Sequence, residues 1–176
     1  MRAAWELFIE RGYDQVTVGD ICAKAEIAPR TFHRYFASKE DVVAEPVREM
    51  TRLVMEHVPA APAGLTDAEV MRTAMVRLAG FVIEHRDLLT ALRLVIQRSQ
   101  HLRLTQLAVG NDQGQEIAAL LAARHPAPDP DDWRPRLTVG CATAAFRVWY
   151  DDYFRIHLDD PLGHLTAIFE AAAPRT

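Results

Sequence analysis

Residues 26–40, EIAPRTFHRYFASKE, decide how this chain folds. Read as a helix, they place Phe32, Tyr35 and Phe36 on one face, because positions i, i+3 and i+4 lie together on a helix. A neighbouring face carries Arg30, His33 and Arg34, with Thr31 beside them. Pro29 suits the first helical position, where its missing N–H needs no partner. The segment therefore predicts a short helix that aromatic side chains anchor and that exposes a cationic face.

The chain on either side of this helix also has helical patterns. Thr17 can cap a helix over VGDICAKA (18–25), and Gly12 closes an earlier amphipathic helix, MRAAWELFIERG. Ser38 and Asp41 have the spacing of a capping box, so a fourth helix begins there. Three short helices with a tight turn between the last two predict a helix-turn-helix, whose recognition helix enters the major groove of DNA. The same spacing also fits a plain three-helix bundle with a solvated cationic face.

The stretch AAWELFIERGYDQVTVGDICAKAEIAPRTFHRYFASKEDVV (3–43) resembles the N-terminal domain of the tetracycline-repressor (TetR) family of bacterial transcription regulators. The resemblance covers about the first 45 residues without a gap. It implies a DNA-binding domain at 1–45, followed by a ligand-binding and dimerisation domain at 46–176. It also implies a set of operator contacts. These are Thr17, Val18, Pro29, Arg30, Thr31, His33, Arg34 and Lys39.

The resemblance gives these positions different roles. Thr17 and Val18 approach phosphates at the start of the second helix, and Lys39 grips the DNA backbone at the start of the fourth. Arg30 and Arg34 are expected to read guanine edges in the major groove. Family members usually begin with a basic arm, whereas this sequence opens inside its first amphipathic helix. We therefore expect that an N-terminal arm is missing from it.

Composition narrows the class of protein. The net charge of −4 over 176 residues argues against a general polyanion binder, but it leaves room for a local basic patch that binds specific DNA. No apolar run approaches the ~18 residues that span a bilayer, so no membrane partner is expected. Cys22 and Cys141 are too few for a disulfide framework, and both fall at predicted inward positions. We expect two reduced core cysteines in a cytoplasmic protein.

The rest of the chain predicts helices only, so the fold class is all-α. Proline-rich segments at 58–65 and 124–135 mark loops. The predicted helices span 38–57, 66–85, 88–98, 101–124, 131–156 and 161–173. The second of these starts at Thr66, with Glu69 three residues later as its capping partner. Pro46 lies inside the first of them and predicts a bend, which is either inert or a hinge.

The helix over 131–156 is apolar on two sides. One stripe holds Trp133, Leu137, Cys141, Ala144 and Val148. The other holds Val139, Phe146, Trp149 and Tyr153. A helix of this kind is covered on both sides. The resemblance implies that the last two helices pair with their twins in a homodimer; the alternative is that both stripes serve the core of a single chain.

The resemblance also implies a pocket for a small-molecule effector between the DNA-binding end and the dimer end. The expected lining residues are Met50, Val54, Met75, Leu78, Phe81, Val82, Leu89, Arg93, Phe146 and Trp149. Residues 88–150 loosely resemble the domains of family members that sense acyl-thioester or fatty-acyl ligands. The expected effector is therefore a small apolar or acyl-type molecule, although each of these side chains also suits an ordinary core.

Motifs of catalysis and metal binding do not occur in the sequence. There is no HExxH, CxxC, GxSxG or glycine-rich phosphate loop, and no histidine follows a glutamate at the spacing of a di-iron site. We expect no enzyme activity, no cofactor and no metal. The sequence predicts a ligand-responsive transcription regulator, a repressor released by its effector from a palindromic operator of double-stranded DNA. The alternative is a dimeric helical adaptor that binds protein and does not read DNA.

Overall fold

The structure, a computed structural model, describes residues 1–127, 129 and 131–172, together with the backbone but not the side chains of 104–111. The described part is all-α, as predicted, and contains no strand. Its helices are α1 (Arg2–Arg11), α2 (Val18–Ala25), α3 (Pro29–Tyr35), α4 (Lys39–Ala60), α5 (Asp67–Glu84), α6 (Arg86–Arg98), α7 (Gln100–Ala122), α8 (Arg134–Arg155) and α9 (Pro161–Ala172), with a 3₁₀ turn at Tyr13–Gln15 between α1 and α2. Residue 173, the predicted end of the last helix, lies outside the described residues.

Local signals in the sequence set the ends of the first helices. α1 ends at Gly12, whose φ of 83° is a conformation that favours glycine, and the Gly12 N–H donates to the carbonyl of Phe8. α2 ends at Glu26, which adopts the left-handed conformation (φ 54°). The chain then passes through the tight turn at residues 26–28 into Pro29, the first residue of α3. The predicted helix-turn-helix is present.

α4 extends beyond its predicted end at residue 57 and continues to Ala60. A residue that is distant in the sequence stabilises this longer end. The guanidinium of Arg124 donates to the carbonyls of Val58, Ala61 and Pro62 at 3.0, 2.8 and 2.8 Å, where a helix end otherwise leaves carbonyls without partners. α4 also remains helical through Pro46, so the role of this proline as a hinge stays a prediction.

The chain divides into two compact units. The first combines Met1–Glu49 with His85–Ala108, and the second combines Met50–Glu84 with Val109–Thr176. In the first unit, α1 packs against α2 and α6. The unit therefore holds α6 and the start of α7 in addition to the predicted DNA-binding segment 1–45.

The second unit is built on contacts of α8 with α5 and α9. Trp149 of α8 is completely buried, and its indole N–H donates to the carbonyl of Pro161 at 2.7 Å, which ties α8 to the start of α9. Its ring stacks on Tyr153 with centroids 5.2 Å apart. α5 begins with the predicted cap, because Thr66 and Glu69 bond each other's backbone N–H groups.

One cysteine is placed differently from the prediction. Cys22 is buried in α2, as expected, but Cys141 is exposed on α8. The two stripes of α8 explain the error. The stripe of Val139, Phe146, Trp149 and Tyr153 is buried within the unit, and the stripe that contains Cys141 faces outward.

Candidate DNA-binding surface

The recognition helix α3 is held by one aromatic side chain and exposes most of the others. Phe32 is buried, with 3 % of its surface exposed, and packs against the half-buried Phe36 at 5.6 Å between ring centroids. This contact fixes the rotation of α3 about its own axis. The side chains that it leaves exposed are those of Pro29, Arg30, His33, Arg34 and Tyr35.

Tyr35 is not the buried anchor that its spacing predicted. It is 67 % exposed, because α3 ends at this residue and the chain becomes extended at Phe36. Arg34 donates from Nη2 to the Tyr35 hydroxyl at 2.8 Å, and the centre of its guanidinium lies 4.7 Å from the centroid of the ring. Such a contact costs the arginine little hydration and restricts its rotamers. Tyr35 therefore belongs to the cationic face, where it orients Arg34.

The start of α2 has the predicted cap. Asp20 donates its N–H to Thr17 Oγ1 at 3.2 Å, and Thr17 donates its N–H to Asp20 Oδ2 at 2.9 Å. The Thr17 hydroxyl also donates to this carboxylate, and these bonds hold the pKa of Asp20 below its usual range. Thr17 is exposed and Val18 is half-buried. Both lie at a helix N-terminus, where free N–H groups favour a phosphate.

The ammonium of Lys39 binds within its own unit, and its predicted contact with the DNA backbone stays a prediction. Its ammonium donates to the carbonyls of Tyr13 and Val16, both at 2.9 Å, and lies 4.3 Å from the centroid of the Tyr13 ring. Both partners are buried residues of the turn between α1 and α2. The side chain turns inward because it satisfies backbone carbonyls there. Lys39 fastens the start of α4 to the turn that carries the cap of α2.

The aromatic ring of Tyr13 packs against the ammonium of Lys39. Its ring packs against Phe8 at 5.2 Å between centroids, and its hydroxyl has no hydrogen-bond partner of good geometry in the described part of the chain. Burial, followed by the nearby Glu40 carboxylate, raises the pKa of Tyr13, so this side chain stays neutral. A neutral ring beneath a cation is the arrangement of a cation–π contact.

The carboxylate of Asp41 holds the connection from α3 to α4. Asp41 accepts from the Ala37 N–H at 2.8 Å and pairs with Arg48 at 3.1 Å. The bond from Arg48, together with that from Ala37, lowers the pKa of Asp41. The sequence predicted a capping box of Ser38 and Asp41 here, and the Asp41 carboxylate bonds the N–H of Ala37, one residue before Ser38.

Long-range contacts that the sequence did not predict complete the first unit. The buried hydroxyl of Ser99, between α6 and α7, donates to Asp14 at 3.0 Å. Lys24 of α2 lies 3.2 Å from Glu6 and 3.4 Å from Glu10 of α1. Serine in a helix junction and lysine on an amphipathic helix are ordinary in sequence, so neither position gave a usable signal.

The predicted operator contacts thus lie in three places. Pro29, Arg30, His33 and Arg34 are exposed together on α3, and Thr31 is half-buried beside them. Thr17 and Val18 lie at the start of α2, and Lys39 is engaged inside the unit. The exposed residues of α3 form a short cationic surface, which we call the α3 face. It consists of Pro29, Arg30, His33, Arg34 and Tyr35.

The predicted effector residues divide between the two units. Leu89 and Arg93 belong to the first unit, and the other eight belong to the second. Seven of the ten are buried, and Met50, Phe81 and Arg93 are half-buried. Two cavities of the second unit, of about 480 and 520 Å³, are lined by other residues. The predicted pocket stays a prediction.

Within the described residues, no group of three or more histidine, cysteine or acidic side chains is arranged to hold a metal ion. In the same part of the chain, no helix is long and apolar enough to cross a membrane.

Comparisons with known proteins agree with the helix-turn-helix geometry. Residues 1–45 match the profile of the bacterial regulatory proteins of the tetR family. The HTH-type transcriptional regulator TcmR of Streptomyces glaucescens is 32 % identical over 178 residues, which cover 98 % of this chain and 78 % of the relative.

Solved structures resemble the fold over nearly the whole chain. A TetR-like transcriptional regulator from Rhodococcus sp. RHA1 matches with a TM-score of 0.53 at 22 % identity, over 96 % of this chain and 90 % of its own. A candidate fatty acid metabolism regulator of Clostridium perfringens matches with a TM-score of 0.59 at 15 % identity, over 97 % and 94 % of the two chains. At these identities, the likeness shows the fold alone.

Proposed function

The chain belongs to the TetR family of bacterial regulatory proteins, and from this premise we propose that it is a homodimeric repressor released from a palindromic operator by a small apolar effector. Transcription regulation through DNA binding is the function of the family. The α3 face is the observation that assigns DNA binding to particular residues of this chain. Family membership favours DNA binding over the adaptor function that the sequence left open.

Arg30 and Arg34 are the proposed base-reading side chains. Both are exposed, and Arg34 is oriented by its bond and ring contact with Tyr35. An arginine that donates two hydrogen bonds to a guanine edge discriminates that base by about 1–3 kcal/mol. Pro29, Thr31 and His33 would lie along the same groove.

Phosphate contacts fall to Thr17 and Val18 in this proposal. They stand at the N-terminus of α2, which the Thr17–Asp20 cap holds in place. Lys39 acts through this element, because it fastens the preceding turn. We therefore assign Lys39 a positioning role instead of the direct phosphate contact expected from the sequence.

Dimerisation through α8 and α9 is the second part of the proposal. The outward stripe of α8 supports it, because Trp133, Leu137 and Val148 there each expose more than half of their surface. A symmetric dimer would present two copies of α3 to half-sites about 34–36 Å apart, or a multiple of that distance. The symmetry of the dimer explains why the operator should be palindromic.

The effector forms the third part. We propose an apolar or acyl-type molecule, because eight of the ten predicted lining residues are apolar side chains of the second unit. The name of the Clostridium perfringens neighbour refers to fatty acid metabolism, which agrees with an acyl effector but comes from a likeness in fold only. Binding should weaken operator affinity by a coupling of about 1–3 kcal/mol, and DNA should weaken effector binding equally. The protein would act in the cytoplasm, where its DNA is.

The effector proposal is tested with a panel of fatty acids and acyl thioesters, measured by their power to release the protein from labelled operator DNA. Leu78→Trp should abolish release and leave DNA binding intact, because a larger ring at this buried position fills the expected pocket. A response that persists unchanged in Leu78→Trp would place the ligand elsewhere. DNA binding itself is tested by titration with the DNA that flanks the gene of this protein, and an equal affinity for scrambled DNA would contradict the proposal.

A further inference from the structure

The hydroxyl of Ser99, at the junction of α6 and α7, bonds two separate elements of the first unit. Ser99 is 1 % exposed. Among the side chains that the structure describes, it is the only buried serine, threonine, histidine, amide or charged residue. A buried polar group is costly unless it is hydrogen-bonded, so it favours the one arrangement that supplies its partners. The partners of Ser99 therefore indicate which arrangement this part of the chain specifies.

The first partner is the start of α7. Ser99 has the extended backbone of an N-cap residue (φ −112°, ψ 119°), and its hydroxyl oxygen accepts from the N–H of Leu102 at 3.4 Å. Its carbonyl accepts the first helical bond, from the N–H of Arg103 at 3.3 Å. Ser99 is thus the cap at which α7 begins. α7 then continues into the second unit, which resumes at Val109.

The second partner is the turn that precedes α2. The Ser99 hydroxyl donates to Asp14 Oδ1 at 3.0 Å. Asp14 lies in the 3₁₀ turn Tyr13–Gln15, three residues before Thr17, the cap of α2. The ammonium of Lys39 bonds backbone carbonyls at the two ends of this turn. The segment that leads into α2 is therefore held by α4 on one side and by the α6–α7 junction on the other.

One hydroxyl group connects these two partners. A hydroxyl has a single proton and two lone pairs. In Ser99 the proton is directed at the Asp14 carboxylate, and a lone pair is directed at the amide of Leu102. The bond to Leu102 exists only while the first turn of α7 is formed, and it holds the hydroxyl in the orientation that reaches Asp14.

We propose that Ser99 is a positioning residue for DNA binding, which holds the start of α2 through Asp14 when the first turn of α7 is formed. Because Ser99 is buried, it acts without touching DNA. The inference rests on the proposed DNA binding by the first unit and adds a residue that controls this binding from the α6–α7 junction.

The state of the first turn of α7 should then set the affinity for DNA. If this turn unwinds, Ser99 loses the amide of Leu102, and α2 is in place in a smaller fraction of molecules. The apparent affinity for DNA falls in proportion to that fraction. By linkage, bound DNA must favour the formed turn to the same extent.

The experiment uses variants of the full chain at both ends of the bond. Ser99→Ala removes the donor. Asp14→Ala removes the acceptor, whereas Asp14→Asn keeps an oxygen that accepts the same proton. Both substitutions of Asp14 remove one negative charge, so the difference between them measures the bond and not the repulsion of DNA. Thr90→Val is the control, because it removes a hydroxyl that donates to the carbonyl of Arg86 within α6 at 2.8 Å.

Each variant is titrated with labelled DNA from the region that flanks the gene, at fixed salt and well below its unfolding midpoint. Ser99→Ala should bind about fivefold more weakly than the native protein, and Thr90→Val should bind like it. Asp14→Ala should bind about fivefold more weakly than Asp14→Asn. In an Asp14→Ala background, Ser99→Ala should cause little further loss, because the bond is already absent.

Hydrogen exchange gives a readout that a purely structural role would not change. In the native protein, DNA should slow the exchange of the amides in the first turn of α7. In Ser99→Ala, these amides should exchange at the same rate with and without DNA. A residue that only stabilised the fold would leave the effect of DNA on these amides as it is in the native protein.

A native affinity for DNA in folded Ser99→Ala would overturn the proposal. Losses that multiply in the double variant would also overturn it, since the two side chains would then act independently. If Ser99→Ala fails to fold, the substitutions of the exposed Asp14 decide, and equal affinities of Asp14→Ala and Asp14→Asn would overturn the proposal. A native protein that binds flanking and scrambled DNA equally would instead remove the DNA binding of the proposed function, and the role of Ser99 with it.

Discussion

Replacing Lys39 by methionine separates a positioning role from a DNA contact. Methionine keeps an unbranched apolar stem but removes the ammonium that donates to the carbonyls of Tyr13 and Val16. If Lys39 positions the start of α2, the variant should unfold more easily, and the salt dependence of DNA binding should stay the same. If Lys39 instead contacts a phosphate, the stability should stay the same and the salt dependence of DNA binding should become weaker.

The structure sets the size of the effect. A hydrogen bond from a charged donor contributes about 1.5–3 kcal/mol, and an exposed cation–π contact about 0.5–1 kcal/mol. Lys39 is half-buried, so both bonds fall toward the lower end of that range. We expect Lys39→Met to lower the free energy of unfolding by about 2–4 kcal/mol. Amides of the turn at Tyr13–Gln15 and of α2 should exchange hydrogen faster.

Lys24→Met is the matched control. This substitution also removes one positive charge, but the partners of Lys24, Glu6 and Glu10, lie on the surface, so it should destabilise the protein much less than Lys39→Met does. Urea unfolding followed by circular dichroism gives the stability of each variant, and hydrogen exchange locates the change. Titration of operator DNA at several salt concentrations gives the slope of log K against log salt. An unchanged stability with a slope that falls by about one unit would refute the positioning role.

Three further predictions concern other parts of the chain. Arg34→Ala should weaken operator binding by about 1–3 kcal/mol and relax preference at particular base pairs, which a set of single-base operator variants measures; an equal loss for every sequence would point to a phosphate contact. Arg124→Lys should lower the unfolding free energy by about 1–3 kcal/mol, because one ammonium cannot reproduce the three bonds to the end of α4. Thermal unfolding measures this loss, and an unchanged midpoint would show that water replaces the three bonds. Asp41 has a lowered pKa, so its contribution to stability is present above about pH 4 and is lost as pH falls through the folded pKa. Unfolding midpoints measured across this range should fall less steeply in Asp41→Asn, and parallel curves would contradict this assignment.

Features that depend on neighbouring residues in the sequence were predicted correctly. The caps at Thr17 and Thr66 join residues three positions apart, and Gly12 ends α1 through its own backbone conformation. Such interactions are complete within one helical turn, so the spacing of residue types reveals them. The order of the helices and the helix-turn-helix follow from these local signals.

Features that depend on distant partners were missed or wrong. Lys39 bonds to carbonyls 23 and 26 positions earlier, and Arg124 bonds to carbonyls more than 60 positions away. A carbonyl is present at every position, so the sequence carries no sign of which one a side chain reaches. The errors at Tyr35 and Cys141 have a related cause, because periodicity finds an apolar stripe but not the element that covers it.

Titration of labelled DNA from the region that flanks the gene of this protein tests the central claim most directly. At fixed salt, the native protein should bind this DNA at least about a thousandfold more tightly than scrambled DNA of equal length. The double variant Arg30→Ala, Arg34→Ala should keep the native unfolding midpoint and lose that preference, because both side chains are exposed and bury no core surface. A folded double variant that still discriminates between the two DNAs would contradict the assignment of the α3 face as the surface that reads DNA.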